Sequence, residues 1–266
     1  MKFKIIRSNL FKTLSHLQGI VDKKNSLPIL ANISIEAKNN KLILSSTDMD
    51  ISIIEEITCN VLEDGSTTIN SQILYDIVRK IEDKSEIEMI SNNGKLLTLR
   101  ANGSRFSLAC LPKEDYPIID LENSGINIKL KSDILFKLID KTKFAISNEE
   151  TRYFLNGLYF NIDTENNKNT VTLVGTDGHR LAKFSHEIND KLDKISGVII
   201  PKKTIYELSK LLSEYNNDID ISISSNKIIF YIGNITFISK LIDGSFPDYK
   251  RVIPNNNSNI LNINRE

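Results

Sequence analysis

The stretch of the 266-residue chain with the most obvious chemical potential is Thr176-Asp177-Gly178-His179-Arg180, where a carboxylate and an imidazole stand two positions apart. On an extended segment such a spacing puts both side chains on one face, so Asp177 and His179 could share a ligand. The remaining histidines, His16 and His186, belong to no cluster with metal-ligand spacing. The sequence contains no G-x-S-x-G, P-loop or dinucleotide-binding motif. A hydrolase that uses Asp177 and His179 stays an alternative, but the sequence indicates no metal or other cofactor.

A second Thr-Asp pair, Thr47-Asp48, favours a structural role for these aspartates. Asp48 is followed by Met49-Asp50 instead of Gly-His, so only the Thr-Asp part recurs. Aspartate side chains at turns accept hydrogen bonds from backbone N–H groups further along the chain. The recurrence therefore predicts two Asx-type turns between strands and no catalytic residues.

The composition is that of a folded, water-soluble protein, with 40% apolar residues and 34 basic residues balanced by 34 acidic ones. This length predicts two domains, and the neutral net charge by itself indicates no nucleic-acid partner. Cys59 and Cys110 lie far apart without a CxxC motif, which predicts free thiols in a reducing compartment. Because no apolar stretch approaches the ~18 residues of a membrane span, we expect a cytoplasmic protein without membrane contact.

The sequence also repeats itself at an offset that grows from 125 to 131 residues. The matched segments are Leu10–Lys12 with Leu135–Lys137, Leu30–Ile33 with Leu155–Leu158, Leu42–Asp48 with Val171–Asp177, Leu74–Ile77 with Ile205–Leu208, Gly103 with Gly233, and Tyr116-Pro117 with Phe246-Pro247. Six matches in the same order, separated by small insertions, indicate two copies of one domain.

Each copy is predicted to contain two amphipathic helices and several β-strands. In the first copy, strand Lys2–Ile6 leads into a helix that Ser8 could cap, and Gln72–Ile81 forms the second helix. Tight turns are expected at Asn39-Asn40, Asn93-Gly94 and Asn102-Gly103. The pattern predicts an α+β fold with two repeated domains, each with two helices packed on antiparallel sheets. We expect domains at residues 1–121 and 127–246, and the start of a third at residues 255–266.

Several segments resemble the beta subunit of bacterial DNA polymerase III, the beta sliding clamp family, over nearly the whole chain. They are Leu27–Leu30 with Asn32, Ser104–Leu108 with Leu111-Pro112, Thr151–Gly157, Thr176–Leu181, and Ser239–Gly244 with Phe246–Tyr249. The resemblance implies the DNA-clamp fold with nearly all of the third domain lacking. It also implies a non-catalytic processivity factor: three domains form a crescent, and two crescents form a homodimeric ring that encircles duplex DNA and tethers the polymerase.

Basic residues are the DNA contacts that we expect, because positive charge attracts phosphates without reading bases. Without the repeat and the resemblance, solvated helix faces would be the preferred interpretation of the same lysines. The residues are Lys12, Lys24, Arg79, Lys80, Lys137, Lys141, Lys202 and Lys203. Lys24 and Glu149 stand where the resemblance implies DNA contacts, and Glu149 is an acid where the family can carry a neutral polar group.

The resemblance further implies a pocket on the second domain that binds a short partner peptide with apolar anchors. The matching residues are Arg152, Leu155, Thr176, Gly178, His179, Arg180, Leu181, Pro247, Arg251 and Val252. In this set the aliphatic side chains and Pro247 would form an apolar floor, the arginines would donate at the rim, and Gly178 would allow close approach of a peptide backbone. In the family, apolar residues of the third domain complete the pocket.

Arg105, Phe106 and Leu108 match the family's ring interface, although their alternation also fits an ordinary strand with one buried face. The expected partners are duplex DNA bound without sequence preference, the replicative polymerase, the clamp loader and other clamp-motif proteins. An interaction module of clamp fold that forms no ring remains an alternative. Because closure in the family uses a third domain, we expect that the 266-residue chain alone does not close a ring.

Overall fold

The computed structural model describes residues 1–21, 27–92, 94–121, 125–165, 168–188, 195–254 and 261–264. The first half of the chain contains β1 (Lys2–Ile6), α1 (Arg7–Gln18), β2 (Asn32–Lys38), β3 (Lys41–Thr47), β4 (Ile51–Thr58), β5 (Asn60–Glu63), β6 (Gly65–Asn70), α2 (Ser71–Lys80), β7 (Glu86–Ser91), β8 (Leu96–Ala101) and β9 (Ser104–Leu111). The second half contains β10 (Ile126–Lys131), α3 (Ser132–Asp140), β11 (Gly157–Glu165), β12 (Lys168–Thr176), β13 (Leu181–Ile188), β14 (Ile195–Pro201), α4 (Lys202–Ser213), β15 (Asp218–Ile223), β16 (Lys227–Ile232) and β17 (Ile235–Lys240). Apart from β5, the two halves repeat the same order of helices and strands.

All strand pairs between these elements are antiparallel, and they form two sheets. One sheet runs β10-β15-β16-β17-β4-β3-β2-β6-β9-β8-β7-β1-β5, and the other runs β13-β12-β11-β14. The α+β prediction with two helices against antiparallel sheets in each half is therefore confirmed.

The larger sheet continues from one half of the chain into the other. β17 of the second half pairs with β4 of the first half from Ile235 opposite Glu55 to Ser239 opposite Ile51. Side chains on both strands are buried, with Ile53 1% and Phe237 0% exposed. Burial of this kind contributes roughly 25 cal/mol for each Å² of apolar surface. The two copies are consequently fastened by a continuous hydrogen-bonded ladder and by shared apolar packing.

The four helices lie side by side in the order α2, α1, α4, α3. The rings of Phe11 and Tyr75 stack at 5.2 Å between α1 and α2. Lys203 of α4 donates to the Ile20 carbonyl just after α1 at 3.2 Å, and α3 packs on α4. Each pair of helices buries its apolar side against the sheets of its own half, as Leu10, Leu14 and Leu17 of α1 show. The opposite faces of these helices remain available to a partner.

Local details correct two sequence-based predictions. The first helix begins at Arg7 with Ile6 as its N-cap, and no side chain caps it, so the assignment of Ser8 as the cap was wrong. The short strand β5 was missed. By contrast, Asn70 caps α2 by accepting a hydrogen bond from the backbone N–H of Ile73 at 3.0 Å.

The predicted turns at Asn39-Asn40 and Asn102-Gly103 are confirmed, because each pair has φ between 47° and 77°, the left-handed region that such hairpins require. The turn predicted at Asn93-Gly94 falls partly outside the described residues, and so does the stretch between the two expected domains. Leu261–Asn264, in the expected start of a third domain, have no regular secondary structure, and Leu261 is 84% exposed. None of the helices in the described part of the chain has the length and apolar character needed to cross a membrane.

Candidate nucleic-acid interface and peptide pocket

The turn between β12 and β13 is built by Thr176 and Asp177. The Asp177 carboxylate accepts hydrogen bonds from the backbone N–H groups of His179 and Arg180, both at 3.0 Å. These bonds, with the adjacent Arg180 guanidinium, lower the pKa of Asp177 to about 2. The Thr176 hydroxyl donates to the Arg180 carbonyl at 2.7 Å, and the N–H of Gly178 donates to that hydroxyl. Thr176 and Asp177 thus hold the backbone, and the segment is a turn instead of the extended one considered for a shared ligand.

The same turn occurs between β3 and β4 in the first half. Asp48 accepts hydrogen bonds from the backbone N–H groups of Asp50 at 3.0 Å and Ile51 at 2.7 Å. Thr47 donates to the Ile51 carbonyl at 3.0 Å, and Met49 has a φ of 81° where Gly178 has 88°. The prediction of two Asx-type turns is confirmed. Among the described residues, no cluster of three or more His, Cys, Asp or Glu side chains could hold a metal ion.

Arg152 lies across Gly178 at one side of this turn. Its guanidinium donates to both carboxylate oxygens of Glu149, at 2.6 and 2.8 Å, and to the Asp177 carbonyl at 3.1 Å. The hydrogen bond from Arg152 holds the pKa of Glu149 below its usual value. A Cβ added to Gly178 would lie 2.5 Å from Arg152 Nη1. Glycine therefore lets the guanidinium reach the turn.

Arg180 extends the site toward a short helical turn at residues 143–145. It donates to Asp177 at 3.0 Å and to the Phe144 carbonyl at 2.7 Å, and its guanidinium carbon lies 5.8 Å from the centre of the Phe144 ring. Phe144 is 57% exposed, so this aromatic face is open to a ligand. His179 is exposed on the turn, Leu181 is half-buried at the start of β13, and Leu155 is 3% exposed below them.

The segment after β17 covers the neighbouring strands. Tyr249 lies 6.1 Å from the Tyr159 ring of β11, and the Lys183 ammonium of β13 lies 5.9 Å from the Tyr249 ring. Pro247, Arg251 and Val252 flank Tyr249 and are exposed, Val252 at 68%, while Arg251 pairs with Asp248 at 2.8 Å. Leu181 and Lys183 share one face of β13. Along that face, the segment around Tyr249 approaches the turn at Thr176–Arg180 that Arg152 contacts.

The predicted DNA contacts fall into two groups. Arg79 and Lys80 on α2 and Lys137 and Lys141 at α3 are exposed. Arg79 also pairs with Asp76 at 3.3 Å. Lys24 lies outside the described residues.

The second group is occupied in contacts within the chain. Lys203 pairs with Asp48 at 2.5 Å, Lys12 lies 3.8 Å from a carboxylate oxygen of Glu214, and Lys202 donates to Asn148. These partners belong to different elements from the lysines, so no local sequence pattern indicates them. Lys12 and Lys203 join the first half to the second half.

Strand β9 carries the predicted ring-interface residues on an incompletely paired edge. It pairs with β8 along Ser104–Ala109, but with β6 only at Cys110 and Leu111. Arg105 is exposed, and Phe106 and Leu108 are half-buried. Phe106 also lines a groove of about 760 Å³ with Ile73 and Ile77 of α2 and with Ile81 just after it, and Ile73 is 51% exposed. The 73, 77, 81 spacing was a second apolar stripe that the sequence interpretation missed.

Comparison with protein families agrees with this architecture. The family model for the N-terminal domain of the DNA polymerase III beta subunit matches residues 1–120, and the model for its central domain matches residues 129–248. The chain belongs to the beta sliding clamp family. Its function is that of a DNA sliding clamp, a processivity factor of replication and not a catalyst.

Individual sliding clamps are similar along nearly the whole chain. The beta sliding clamp of Caulobacter vibrioides is 40% identical, covering 100% of this chain and 72% of the relative, and that of Escherichia coli K12 is 35% identical, covering 96% and 69%. The crystal structure of the Bartonella birtlesii sliding clamp bound to griselimycin superposes with a TM-score of 0.92 at 43% identity, covering 96% of this chain and 68% of that one. The clamp fold expected from the sequence is thereby confirmed.

Proposed function

We propose that the protein contributes to a ring around duplex DNA through its row of helices and binds partner proteins through the pocket beside Gly178. The observation that carries this proposal is the junction at β17 and β4, which joins two clamp domains edge to edge while aligning α2, α1, α4 and α3 on one side. Repetition of that junction by further domains would extend both the sheet and the helix row. An extended row of helices would present basic side chains to DNA.

The DNA-facing surface is proposed to consist of the exposed basic residues Arg79, Lys80, Lys137 and Lys141. They lie on α2 and at α3, the two ends of the helix row. Long, mobile cationic side chains attract phosphates but offer no fixed donor pattern to base edges, so binding would not depend on sequence. Lys203 contributes less in this proposal, because Asp48 lies 2.5 Å from its ammonium and partly neutralises it. Lys12 is 62% exposed and adds to this surface on α1.

Ring closure is proposed to use the edges of strands β9 and β13, which are equivalent to the strands β17 and β4 that pair at the junction within the chain. In the sequence repeat β9 corresponds to β17, and β13 corresponds to β4. Within the described residues, β13 ends its sheet and Ser104–Ala109 of β9 pair on one side only. Unpaired N–H and C=O groups with apolar neighbours suit addition of a strand from another clamp domain. The apolar groove of Phe106 and the α2 isoleucines would then become buried between two subunits.

The pocket beside Gly178 is proposed to receive an extended peptide with apolar anchors from the polymerase, the clamp loader or another clamp-motif protein. Leu155, Leu181 and Val252 supply apolar surface, and Arg152 and Arg180 are fixed at the rim by Glu149 and Asp177. Fixed donors lose little conformational freedom on binding, which favours affinity. Griselimycin is bound by the relatives from Bartonella birtlesii and Pseudomonas aeruginosa, and we propose it as a probe of this pocket.

The DNA part of the proposal is tested by titrating fluorescent duplexes of unrelated sequence with the protein at several salt concentrations. We expect affinities that agree within about twofold between sequences and fall steeply with salt, because counterion release dominates phosphate binding. Strong preference for one sequence that persists at high salt would contradict a sliding surface.

A further inference from the structure

An ionisable side chain is enclosed where the two halves of the chain meet. His16 of α1 has a side chain that is 7% exposed. Its Nδ1 lies 2.8 Å from Oε2 of Glu55 on β4, and its Nε2 lies 3.4 Å from Oε2 of Glu214, the residue that follows α4. His16 thus connects a buried carboxylate of the first half to a carboxylate of the second half.

The geometry of this triad favours the charged form of the imidazole. The other oxygen of Glu55, Oε1, accepts a hydrogen bond from the Thr13 hydroxyl at 2.8 Å, so both Glu55 oxygens act as acceptors. Carboxylate oxygens can only accept, and His16 therefore needs an N–H on each ring nitrogen to satisfy both neighbours. A neutral ring would direct a lone pair at one of the two carboxylates.

The balance of interactions on His16 agrees with that geometry. Burial by itself lowers the pKa of His16, but the hydrogen bond and charge of Glu55, supported by those of Glu214, outweigh it and raise the pKa above its usual value. The other ionisable groups around the small cavity beside the ring are Lys12 of the same helix and Tyr215 after α4. Lys12 lies 3.8 Å from the same Glu214 oxygen and is 62% exposed. Loss of the His16 proton leaves two carboxylates facing one another across a neutral ring, with Lys12 as the remaining cation.

Two other side chains of α4, Lys203 and Glu207, contact the first half in the described part of the chain. Lys203, at the start of α4, donates hydrogen bonds to the Asp48 carboxylate and to the Ile20 carbonyl. The Glu207 carboxylate, one turn further along, lies so close to Gly19 that a Cβ there would be 2.1 Å from Oε2. The contact at Glu214 differs from these two because it involves a histidine, the side chain whose ordinary pKa lies closest to neutrality.

We propose that His16 is a positioning residue that fastens the C-terminal end of α4 to α1 when it is protonated and releases that end when it loses its proton. The pairing of β17 with β4 and the Lys203 contact persist in both states, so the two halves stay joined. What changes is how often the last turn of α4 opens away from α1. The contact is complete below the ordinary histidine pKa of about 6.5 and is lost as the pH rises through the raised pKa of His16.

Hydrogen exchange of the whole protein tests this proposal. The backbone N–H groups of Glu214 and Tyr215 donate to the carbonyls of Leu211 and Leu212, so they report on the last turn of α4. After correction for the intrinsic dependence of exchange on pH, we expect their protection to fall between pH 6 and pH 9. The fall should be about tenfold for each unit by which the contact raises the pKa of His16. Protection near Lys203 should not change.

Three variants make the result decisive. His16→Gln and Glu214→Gln should each abolish the pH dependence, and Glu214→Gln should lower the pKa of His16 measured from its imidazole NMR signals. His186→Gln is the matched control, because His186 lies on β13 away from the junction, and this variant should keep the full dependence. If His16→Gln is poorly folded, Glu214→Gln alone decides, since it leaves His16 and Glu55 in place. A protection profile that is flat in the wild type, or equally steep in Glu214→Gln, would overturn the proposal.

Discussion

Phe237 of β17 lies directly opposite Ile53 of β4, although the two residues belong to different copies of the repeated domain. Neither side chain is more than 1% exposed, and the Phe237 ring packs 6.1 Å from that of Phe230. The boundary between the copies is therefore part of the hydrophobic core. Substitutions at this boundary should therefore lower the stability of the protein as much as substitutions elsewhere in the core.

Replacement of Phe237 by alanine should lower the free energy of unfolding by about 3–5 kcal/mol, the usual cost of removing a buried phenylalanine ring. Urea denaturation followed by circular dichroism measures the change. Phe144→Ala is the matched control, because Phe144 is 57% exposed. This control should change stability by no more than about 0.5 kcal/mol. A similar, small effect of both variants would mean that the junction contributes little.

Acid should weaken the protein partly through the turn at Asp177. Because its pKa is lowered from 3.8 to about 2 in the folded protein, the stabilisation by this carboxylate is present above its ordinary pKa and is lost as the pH falls through its folded value. The melting-temperature difference between wild type and Asp177→Asn should be constant from pH 7 to about pH 4 and shrink from there toward pH 2. A difference that stays the same down to pH 2 would contradict the assigned hydrogen bonds.

Gly178→Ala should weaken ligand binding at the pocket beyond what its effect on stability would cause. The added Cβ must displace the Arg152 guanidinium, and a φ of 88° strains any residue other than glycine by about 1–2 kcal/mol. Gly103→Ala carries the same kind of strain at a φ of 77°, but nothing lies within 4 Å of its Cβ. We expect comparable losses of stability in both variants.

Calorimetric titration with griselimycin should separate these two glycines. Gly178→Ala should bind at least about tenfold more weakly, a loss of about 1.4 kcal/mol, whereas Gly103→Ala should bind like the wild type. Equal affinity of the two variants would show that the pocket lies elsewhere.

Lys137→Ala should weaken binding to every duplex by the same factor. If Lys137 neutralises one phosphate, the slope of log affinity against log salt concentration should fall by about 0.9. Lys129→Ala removes the same charge from β10, where Lys129 is exposed and pairs with Asp220 at 3.4 Å. Fluorescence anisotropy should show little effect of this control. A larger effect of Lys129→Ala than of Lys137→Ala would place DNA on the sheet side.

Much of the fold could be predicted because its signals are local. The alternation of apolar residues and the turn residues at Asn39-Asn40 and Asn102-Gly103 act within a few residues, and each copy of the repeat carries them independently. The Thr-Asp turns were recognisable for the same reason, since Asp48 and Asp177 bond to backbone groups two and three positions ahead.

The contacts that join the two halves could not be predicted in this way. His16 meets Glu214 after α4, and Lys203 meets Asp48 across 155 residues of sequence. Such pairs form only when β17 adds to β4, and no pattern within either copy specifies which lysine will meet an acid. Lys203 was accordingly predicted to face DNA, although the structure pairs it with Asp48.

As a sliding clamp, the protein is proposed to belong to a closed ring that holds DNA by topology. The most direct test of this proposal joins the chain to the third domain of the Caulobacter vibrioides clamp and loads the product onto nicked circular DNA with a bacterial clamp loader. After gel filtration at high salt, we predict that the protein stays with the circles and is lost when they are cut, while the 266-residue chain alone is lost from both. Equal retention of the fused protein on circular and linear DNA would contradict a sliding ring. Loss of the fused protein from both kinds of DNA would also contradict it, provided that sedimentation shows that the fused protein is a dimer.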